Sequence, residues 1–286
     1  MSYYEVFGLK KEPFSTSPDP VFFYLTKEHR AALCRLQIAI SLKRGLSLIL
    51  GDVGTGKTTL SRKLAQLYRD EKDVLFFMIL NPYFRSQRQF LGHLAKLFHL
   101  ETSEKKATGL ELIEGIEKYL FQKGVAEGKT LVLLIDEAQI VPDYVFEVLR
   151  ILLNYETNEY KILQLVLVGQ LELLPRIGSM HNFWDRIALK YVLNPLDRDE
   201  LEETIGFRLT QAGCASINTL FTREALDLIY RHTDGYPRKF TLLCHNALES
   251  LVMYEKTVVD SDVIADLIRQ EVEPVEVKAR DAADVF

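Results

Sequence analysis

Between an apolar run, Leu46-Ser47-Leu48-Ile49-Leu50, and a helical stripe of Leu60, Leu64 and Leu67 lies Gly51-Asp52-Val53-Gly54-Thr55-Gly56-Lys57-Thr58. The segment fits G-x-x-x-x-G-K-[ST] in the context that gives the pattern a mechanism, a strand entering a helix through a glycine-rich turn. Glycines at 51, 54 and 56 let the backbone curl until its N–H groups converge, and the helix start adds its positive dipole end. A loop of this kind cradles a polyphosphate, and the ligand it implies is ATP with Mg²⁺. Residues 51–59, including Asp52, Val53, Thr55 and Thr59, then form the binding surface. Lys57 supplies a point charge to the β- and γ-phosphates, and the Thr58 hydroxyl is placed to ligate the metal. The competing explanation, a chance glycine-rich turn, does not account for the flanking strand and helix.

The alternation that begins there sets the fold class. Apolar strands are expected near 74–80, 131–135, 162–168 and 190–193, and amphipathic helices near 27–42, 57–70, 87–98, 110–123 and 144–154. Such a succession builds a parallel sheet with helices on both faces, a three-layer αβα core. After Pro195 only helical periodicities remain, broken at Gly213, Asp234-Gly235 and Thr257, so 196–272 reads as a small all-helical domain. Residues 1–28 carry many aromatics and prolines, among them Tyr3, Tyr4, Phe7, Pro13, Phe14, Phe22 and Phe23. They are expected to form an extended arm packed on the core, which spans 29–195. The charged stretch 273–286 reads as a mobile tail.

A second group of residues completes the chemistry. In Leu131-Val132-Leu133-Leu134-Ile135-Asp136-Glu137 the apolar run ends in two carboxylates. Asp136 is placed to hold Mg²⁺ through water, and Glu137 to orient or deprotonate an attacking water. Asn81 and Gln170 each follow a predicted strand. Asn81 is a candidate to hold Glu137 by a hydrogen bond, and Gln170 to sense a γ-phosphate or the attacking water; either could equally be a plain strand terminator. Arg186 is the candidate for an arginine that reaches the γ-phosphate in a neighbouring copy, with Arg176 in reserve, and a surface arginine explains both as well. In Gly235-Tyr236-Pro237-Arg238, Pro237 opens a helix and leaves Arg238 in its first turn, a poor place for a cation unless an anion is near. The six histidines (29, 93, 99, 181, 232 and 245) lack metal-ligand spacing and read as structural; His29 has lining a base pocket as a second reading.

Composition bounds the partners. Apolar residues make up 48% and charged residues 26% of 286, an ordinary globular balance, and the net charge of −5 argues against a general nucleic-acid coat. Cys34, Cys214 and Cys244 are scattered and show no CxxC pair. The N-terminus lacks a basic region followed by an apolar stretch, and no apolar run approaches the ~18 residues of a spanning helix. The expectation is a soluble, cytoplasmic protein.

The glycine-rich loop, Asp136-Glu137, Gln170 and Gly235-Tyr236-Pro237-Arg238 resemble the Walker A, Walker B, sensor 1 and sensor 2 motifs of the AAA+ superfamily of P-loop NTPases. More narrowly, Tyr4-Glu5-Val6-Phe7-Gly8-Leu9, Pro13-Phe14 and Pro18-Asp19-Pro20 resemble the ExeA or general secretion pathway protein A family. So do Asp136-Glu137-Ala138-Gln139, Leu149-Arg150-Ile151-Leu152-Leu153-Asn154, Leu167-Val168-Gly169-Gln170 and Arg208-Leu209-Thr210-Gln211-Ala212-Gly213. The resemblance covers about 3–271. It implies a helical lid domain after the core and an ATP-hydrolysing homo-oligomer, a ring or filament. It also implies an envelope-machinery partner, in type II secretion, a type IV pilus or an exopolysaccharide or exosortase system. Longer members continue into a transmembrane helix and a periplasmic peptidoglycan-binding domain, which residues 1–286 do not include. The resemblance therefore implies a cytoplasmic part of such a protein or a short member reaching the membrane through partners. Transposition regulators of the TnsC, TniB and MuB type share the architecture, so DNA is a second candidate partner, disfavoured by the net charge. A weakly hydrolysing ATP-dependent scaffold or switch is a third reading, which intact Lys57, Asp136 and Glu137 oppose.

Overall fold

In the structure, a computed structural model that describes residues 3–15, 20–100, 107–214 and 217–272, the chain divides into two units. One is Pro18–Pro195, and the other joins the N-terminal segment to the residues from Leu196 onward. In chain order the elements begin with α1 (Tyr3–Val6), α2 (Lys27–Ser41), β1 (Leu46–Gly51), α3 (Lys57–Tyr68) and β2 (Val74–Ile79). They continue with α4 (Gln87–Leu97), α5 (Gly109–Phe121), β3 (Thr130–Ile135), α6 (Asp143–Leu152) and β4 (Leu163–Gly169). Then follow α7 (Leu173–Gly178), α8 (His181–Trp184), β5 (Ile187–Leu193), α9 (Arg198–Gln211), α10 (Arg223–Thr233), α11 (Pro237–Met253) and α12 (Ser261–Val272).

The five strands form one parallel sheet in the order β2-β3-β4-β1-β5. Strands β1 and β4 are buried along their whole length, which is why they read as continuous apolar runs rather than alternating ones. Successive side chains go to opposite faces. Leu48, Leu50, Leu133, Ile135, Leu165 and Leu167 pack with Phe90, Ile116 and Phe146 of α4, α5 and α6. The alternate residues Ile49, Val132, Leu134, Val166 and Val168 pack with Leu33 and Leu36 of α2 and Leu60 and Leu64 of α3. The expected three-layer core is thus two hydrophobic layers sharing one sheet. Local signals set the helix starts: Thr26 caps α2 by accepting from the His29 N–H, and Thr108 with Glu111 forms a capping box on α5. Strand β5 begins at Ile187, three residues before the expected 190–193; its apolar residues run on both sides of Lys190. It is an edge strand whose residues alternate between partly buried and exposed, with Ala188 and Lys190 outward, so a charge can stand in mid-strand.

The N-terminal segment departs from the expected extended arm on the core. Residues 3–6 are a helical turn, and 3–14 pack within the helical unit. Tyr3 stacks edge-on to His245 of α11 with its hydroxyl 2.8 Å from Nδ1. The Lys10 N–H donates to Ala212 at 2.7 Å, and fully buried Phe14 meets Phe221. The aromatics did need a surface to bury against, and the helices supply it. From Pro20–Phe22 onward the segment belongs to the sheet unit, and Phe22 is buried there. The tail expected at 273–286 lies outside the described residues.

Within the helical unit, Gly235 has a structural task of its own. Its φ is +71°, its carbonyl accepts from the Leu196 N–H at 3.0 Å, and a Cβ there would lie 1.9 Å from the Leu196 carbonyl oxygen. The glycine of Gly235-Tyr236-Pro237-Arg238 is therefore required by packing, whatever Arg238 does. Gly235→Ala is expected to lower the stability of the helical unit by on the order of 2–4 kcal/mol, from left-handed strain plus the clash. Urea unfolding followed by near-ultraviolet circular dichroism would measure it, and an unchanged midpoint would refute this reading.

Candidate nucleotide-binding site

Strand β1 delivers the chain to a place where only glycine fits. A Cβ on Gly51 would lie 2.6 Å from the Thr55 hydroxyl and 2.9 Å from the Leu193 carbonyl oxygen. The loop then turns through Gly54 at φ +85° and Gly56 at φ +91°, conformations that an L side chain strains to adopt. Asp52 and Val53 are exposed at its tip, Thr55 is buried, and Thr58 and Thr59 are half-buried in the first turn of α3. Gly56 is the N-cap of α3 and supplies no side-chain cap, so the first-turn N–H groups are free to meet an anion.

His29 holds this loop from the α2 side. It is 2% exposed, its Nδ1 lies 2.7 Å from the Thr26 hydroxyl, and its Nε2 lies 3.1 Å from the Thr55 carbonyl oxygen. A carbonyl only accepts, so Nε2 carries the proton and Nδ1 receives the hydroxyl's. The ring packs edge-on to Phe23, and a Cβ on Gly56 would meet Nε2 at 2.9 Å. His29 thus serves the loop backbone. Burial lowers its pKa to about 4, against a smaller opposing contribution from the Thr55 carbonyl.

Charge is concentrated where β1 and β3 end. The Lys57 ammonium is buried and donates to the carbonyls of Gly51 at 2.9 Å and Asp52 at 2.8 Å. Desolvation lowers its pKa, while Glu137, Asp136 and Asp52, in that order, support its charged form. Asp136 is 1% exposed, and its N–H donates to Ile79 of the neighbouring strand at 2.8 Å. Desolvation raises its pKa; the Glu137 N–H at 2.9 Å and the Thr58 hydroxyl oppose that shift by hydrogen-bonding its carboxylate. Thr58 and Asp136, the two residues expected to serve Mg²⁺, are therefore in contact. Among the described residues no three His, Cys, Asp or Glu side chains converge, so a divalent ion here would draw its other ligands from nucleotide and water oxygens.

The remaining candidates separate. Glu137 hydrogen-bonds Gln139, whose amide Nε2 donates to Oε2 at 2.5 Å. The partner expected at Asn81 is thus found at Gln139; Asn81 is exposed after β2. Gln170 lies at the end of β4, and its backbone N–H donates to Gln139 Oε1 at 3.1 Å. Arg176 is committed within its own unit. It donates to the carbonyls of Gln139 and Val141, pairs with Asp143 and lies over the Phe146 ring. That set of contacts argues against the reserve role given to Arg176. Arg186 is half-buried, with Nε donating to the Asn182 carbonyl at 2.9 Å. Arg238 is exposed in the first turn of α11, on the helical unit.

A family model described as an AAA domain matches residues 41–177. General secretion pathway protein A of Aeromonas hydrophila is 38% identical over 248 residues, covering 86% of this chain and 44% of that protein. The chain has a P-loop AAA+ fold and is similar to general secretion pathway protein A over most of its own length. It spans less than half the length of that relative. Among solved structures, Cdc6p of Pyrobaculum aerophilum superposes with a TM-score of 0.68 at 18% identity, over 90% of this chain and 70% of that one. Aeropyrum pernix ORC2 gives 0.66 at 17% identity over 91% and 72%, and the Thermotoga maritima RuvB branch migration motor 0.56 at 17% over 86% and 69%. At those identities the likeness is one of fold.

In this AAA+ chain the residue that sequence reasoning passed over is Gln139. It stands inside Asp136-Glu137-Ala138-Gln139, but nothing in its spacing shows that its amide spans from β3 to β4. The neutral His29 yields a pH dependence. Between pH 6.5 and 4 the unfolded chain binds a proton that the folded one refuses. Stability is complete above the ordinary histidine pKa and falls with pH through this window, by roughly 3 kcal/mol at about 1.4 kcal/mol per pH unit. Urea unfolding at pH 7, 6 and 5 should show the decline, and His29→Gln should flatten it; equal slopes for both proteins would rule out His29 as the source.

Proposed function

We propose that this chain binds ATP with Mg²⁺ on residues 51–59 and hydrolyses it, and that the working site belongs to an oligomer. The supporting observation is the meeting of the buried Lys57 ammonium with the Asp136 and Glu137 carboxylates at the carboxyl edge of the sheet. A desolvated cation among carboxylates matches a polyphosphate and a divalent ion arriving together, since each neutralises what the other leaves exposed. In this reading Lys57 and the loop N–H groups hold the phosphates, and Thr58 with Asp136 would hold Mg²⁺. The metal supplies positive charge against the phosphoryl oxygens. Glu137 accepts the proton of the attacking water, and Gln170 faces the γ-phosphate. Asn81 is the weaker of the polar strand-end candidates, and Arg238 is assigned on its motif alone.

A position in the sheet supports a role for Arg186 in trans. It precedes Ile187, which pairs with Leu46 at the start of β1, whereas the loop begins at Gly51, about 16 Å further along the strand. That distance exceeds the reach of an arginine side chain, so Arg186 would serve the site of another copy. The name of the relative supports a task in a bacterial envelope machine, with the chain in the cytoplasm or peripheral to the inner membrane through partners. Among the described residues no helix is long and apolar enough to cross a membrane.

Lys57→Ala is expected to abolish turnover, and Glu137→Gln to retain ATP binding while slowing hydrolysis by ~10²–10⁴-fold, the usual contribution of a general base. Arg186→Ala and Lys57→Ala should each be inactive alone yet regain part of the activity when mixed, because one supplies a sound loop and the other a sound arginine. Absence of that recovery would sink the shared site. Light scattering of Glu137→Gln with ATP should show growth in mass. Growth that instead required duplex DNA and vanished steeply with salt would favour a DNA-bound role over the envelope reading.

A further inference from the structure

The side chain of Gln139 joins the two strand ends that carry the chemistry. Its amide has one donor face and one acceptor face, and the structure fixes which is which. The Gln170 main-chain N–H can only donate, so Oε1 must face it, as it does at 3.1 Å. The NH₂ group is left for Glu137, whose carboxylate accepts at 2.5 Å. Reversing the amide would set N–H against N–H and oxygen against carboxylate, so the arrangement has one stable sense.

The loop around this amide is held at several points. Glu137 itself has φ +52° and ψ +38°, a left-handed conformation that strains a non-glycine residue and so needs contacts to maintain it. Its N–H donates to Asp136 Oδ1, and its carbonyl accepts from the Ile140 N–H at 3.0 Å. Arg176, six residues beyond Gln170, donates to the Gln139 carbonyl at 2.9 Å and to Val141, and its pairing with Asp143 secures the end of the turn. Gly169 leaves the space: a Cβ there would lie 2.8 Å from Leu173 and 3.2 Å from Gln139 Oε1. Segment 169–176 therefore grips Gln139 by both side chain and main chain.

The geometry points to Gln139 as a positioning residue for the hydrolytic step, one that fixes the Glu137 carboxylate and registers it to the end of β4. This rests on the hydrolytic reading of the site. Oε2 is engaged by the amide, which stops the carboxylate rotating and leaves Oε1 to accept the proton of water. A carboxylate near Lys57 without that restraint would be drawn toward the ammonium, because Glu137 is the foremost charge supporting it. The same amide transmits any displacement of the Gln170 backbone to the base, so engagement of β4 by the terminal phosphate and alignment of Glu137 become one event.

Steady-state ATPase kinetics on the whole chain test this, with thermal unfolding to confirm folding. Gln139→Leu should lower kcat by ~10–100-fold, the scale of a misplaced reacting group, with KM and ATP affinity little changed. Gln139→Glu keeps the volume but sets carboxylate against carboxylate, and should lose at least as much. It serves if the leucine variant does not fold. Neither change should lower the rate further in a Glu137→Gln background, because the amide acts through that carboxylate. A Gln139→Leu or Gln139→Glu protein that turns over within twofold of wild type overturns the proposal, and so does an additive loss with Glu137→Gln. If the wild-type chain shows no turnover, the hydrolytic reading fails and the proposal falls with it.

Discussion

The placing of β4 between β1 and β3 is the constraint on which the rest of the sheet unit depends. Strands in a parallel sheet stand about 4.8 Å apart, so the glycine-rich loop and the Asp136-Glu137 turn emerge some 10 Å from one another with the end of β4 between them. That gap is wide enough for a polyphosphate and narrow enough for α3 to close it, which it does through the hydrogen bond between Thr58 and Asp136. It also decides what β4 must be. Flanked on both sides, it is buried throughout and ends in Gly169, because any side chain there would collide with Leu173.

Around this frame the electrostatics are deliberately unequal. Lys57 is a buried cation near three carboxylates, and desolvation works against its charge while the carboxylates work for it. Asp136 shows the converse, pushed toward its neutral form by burial, a shift that the Glu137 N–H and the Thr58 hydroxyl oppose. In the proposed reading, such opposed contributions leave charges that are costly until ligands of both signs enter, which would favour binding of phosphate and metal as a pair. His29 takes no part in that balance. As a neutral ring with two satisfied nitrogens, it braces the carbonyl of Thr55 without adding a charge to repel the metal.

Much of this was legible in the amino-acid sequence, and the reasons for success and failure are physical. Strands β1, β3 and β4 are buried on both faces, so they appear as unbroken apolar runs. The loop is legible because its geometry tolerates few residues at 51, 54 and 56. Strand β5 was legible only at its end, because Lys190 interrupts its apolar run and an edge strand tolerates a charge on its outward face. The arm was misplaced because aromatic content reveals a need for burial but not the surface that meets it; Tyr3 and Phe14 found helices, not the sheet. Asn81 and Gln139 show the same limit in the site. Both are amides near the right strand ends, and only the left-handed turn at Glu137 brings the second, rather than the first, onto the carboxylate.

The commitment of Arg176 to its own loop narrows what remains. An arginine that donates to two carbonyls, pairs with Asp143 and covers Phe146 cannot leave for another molecule without dismantling the turn that carries Gln139. Arg186 is less committed: its Nε donates to the Asn182 carbonyl, and its charge also helps to lower the pKa of Glu156. It also stands at the amino edge of the sheet, the edge opposite the loop, where its charge is of no use to its own phosphates. Parallel strands give every copy one edge that gathers ligand and one that does not. In the oligomer proposed above, setting the second edge of one copy against the first edge of another would put Arg186 to use without disturbing either core, in a head-to-tail contact of the kind that generates a ring or a filament.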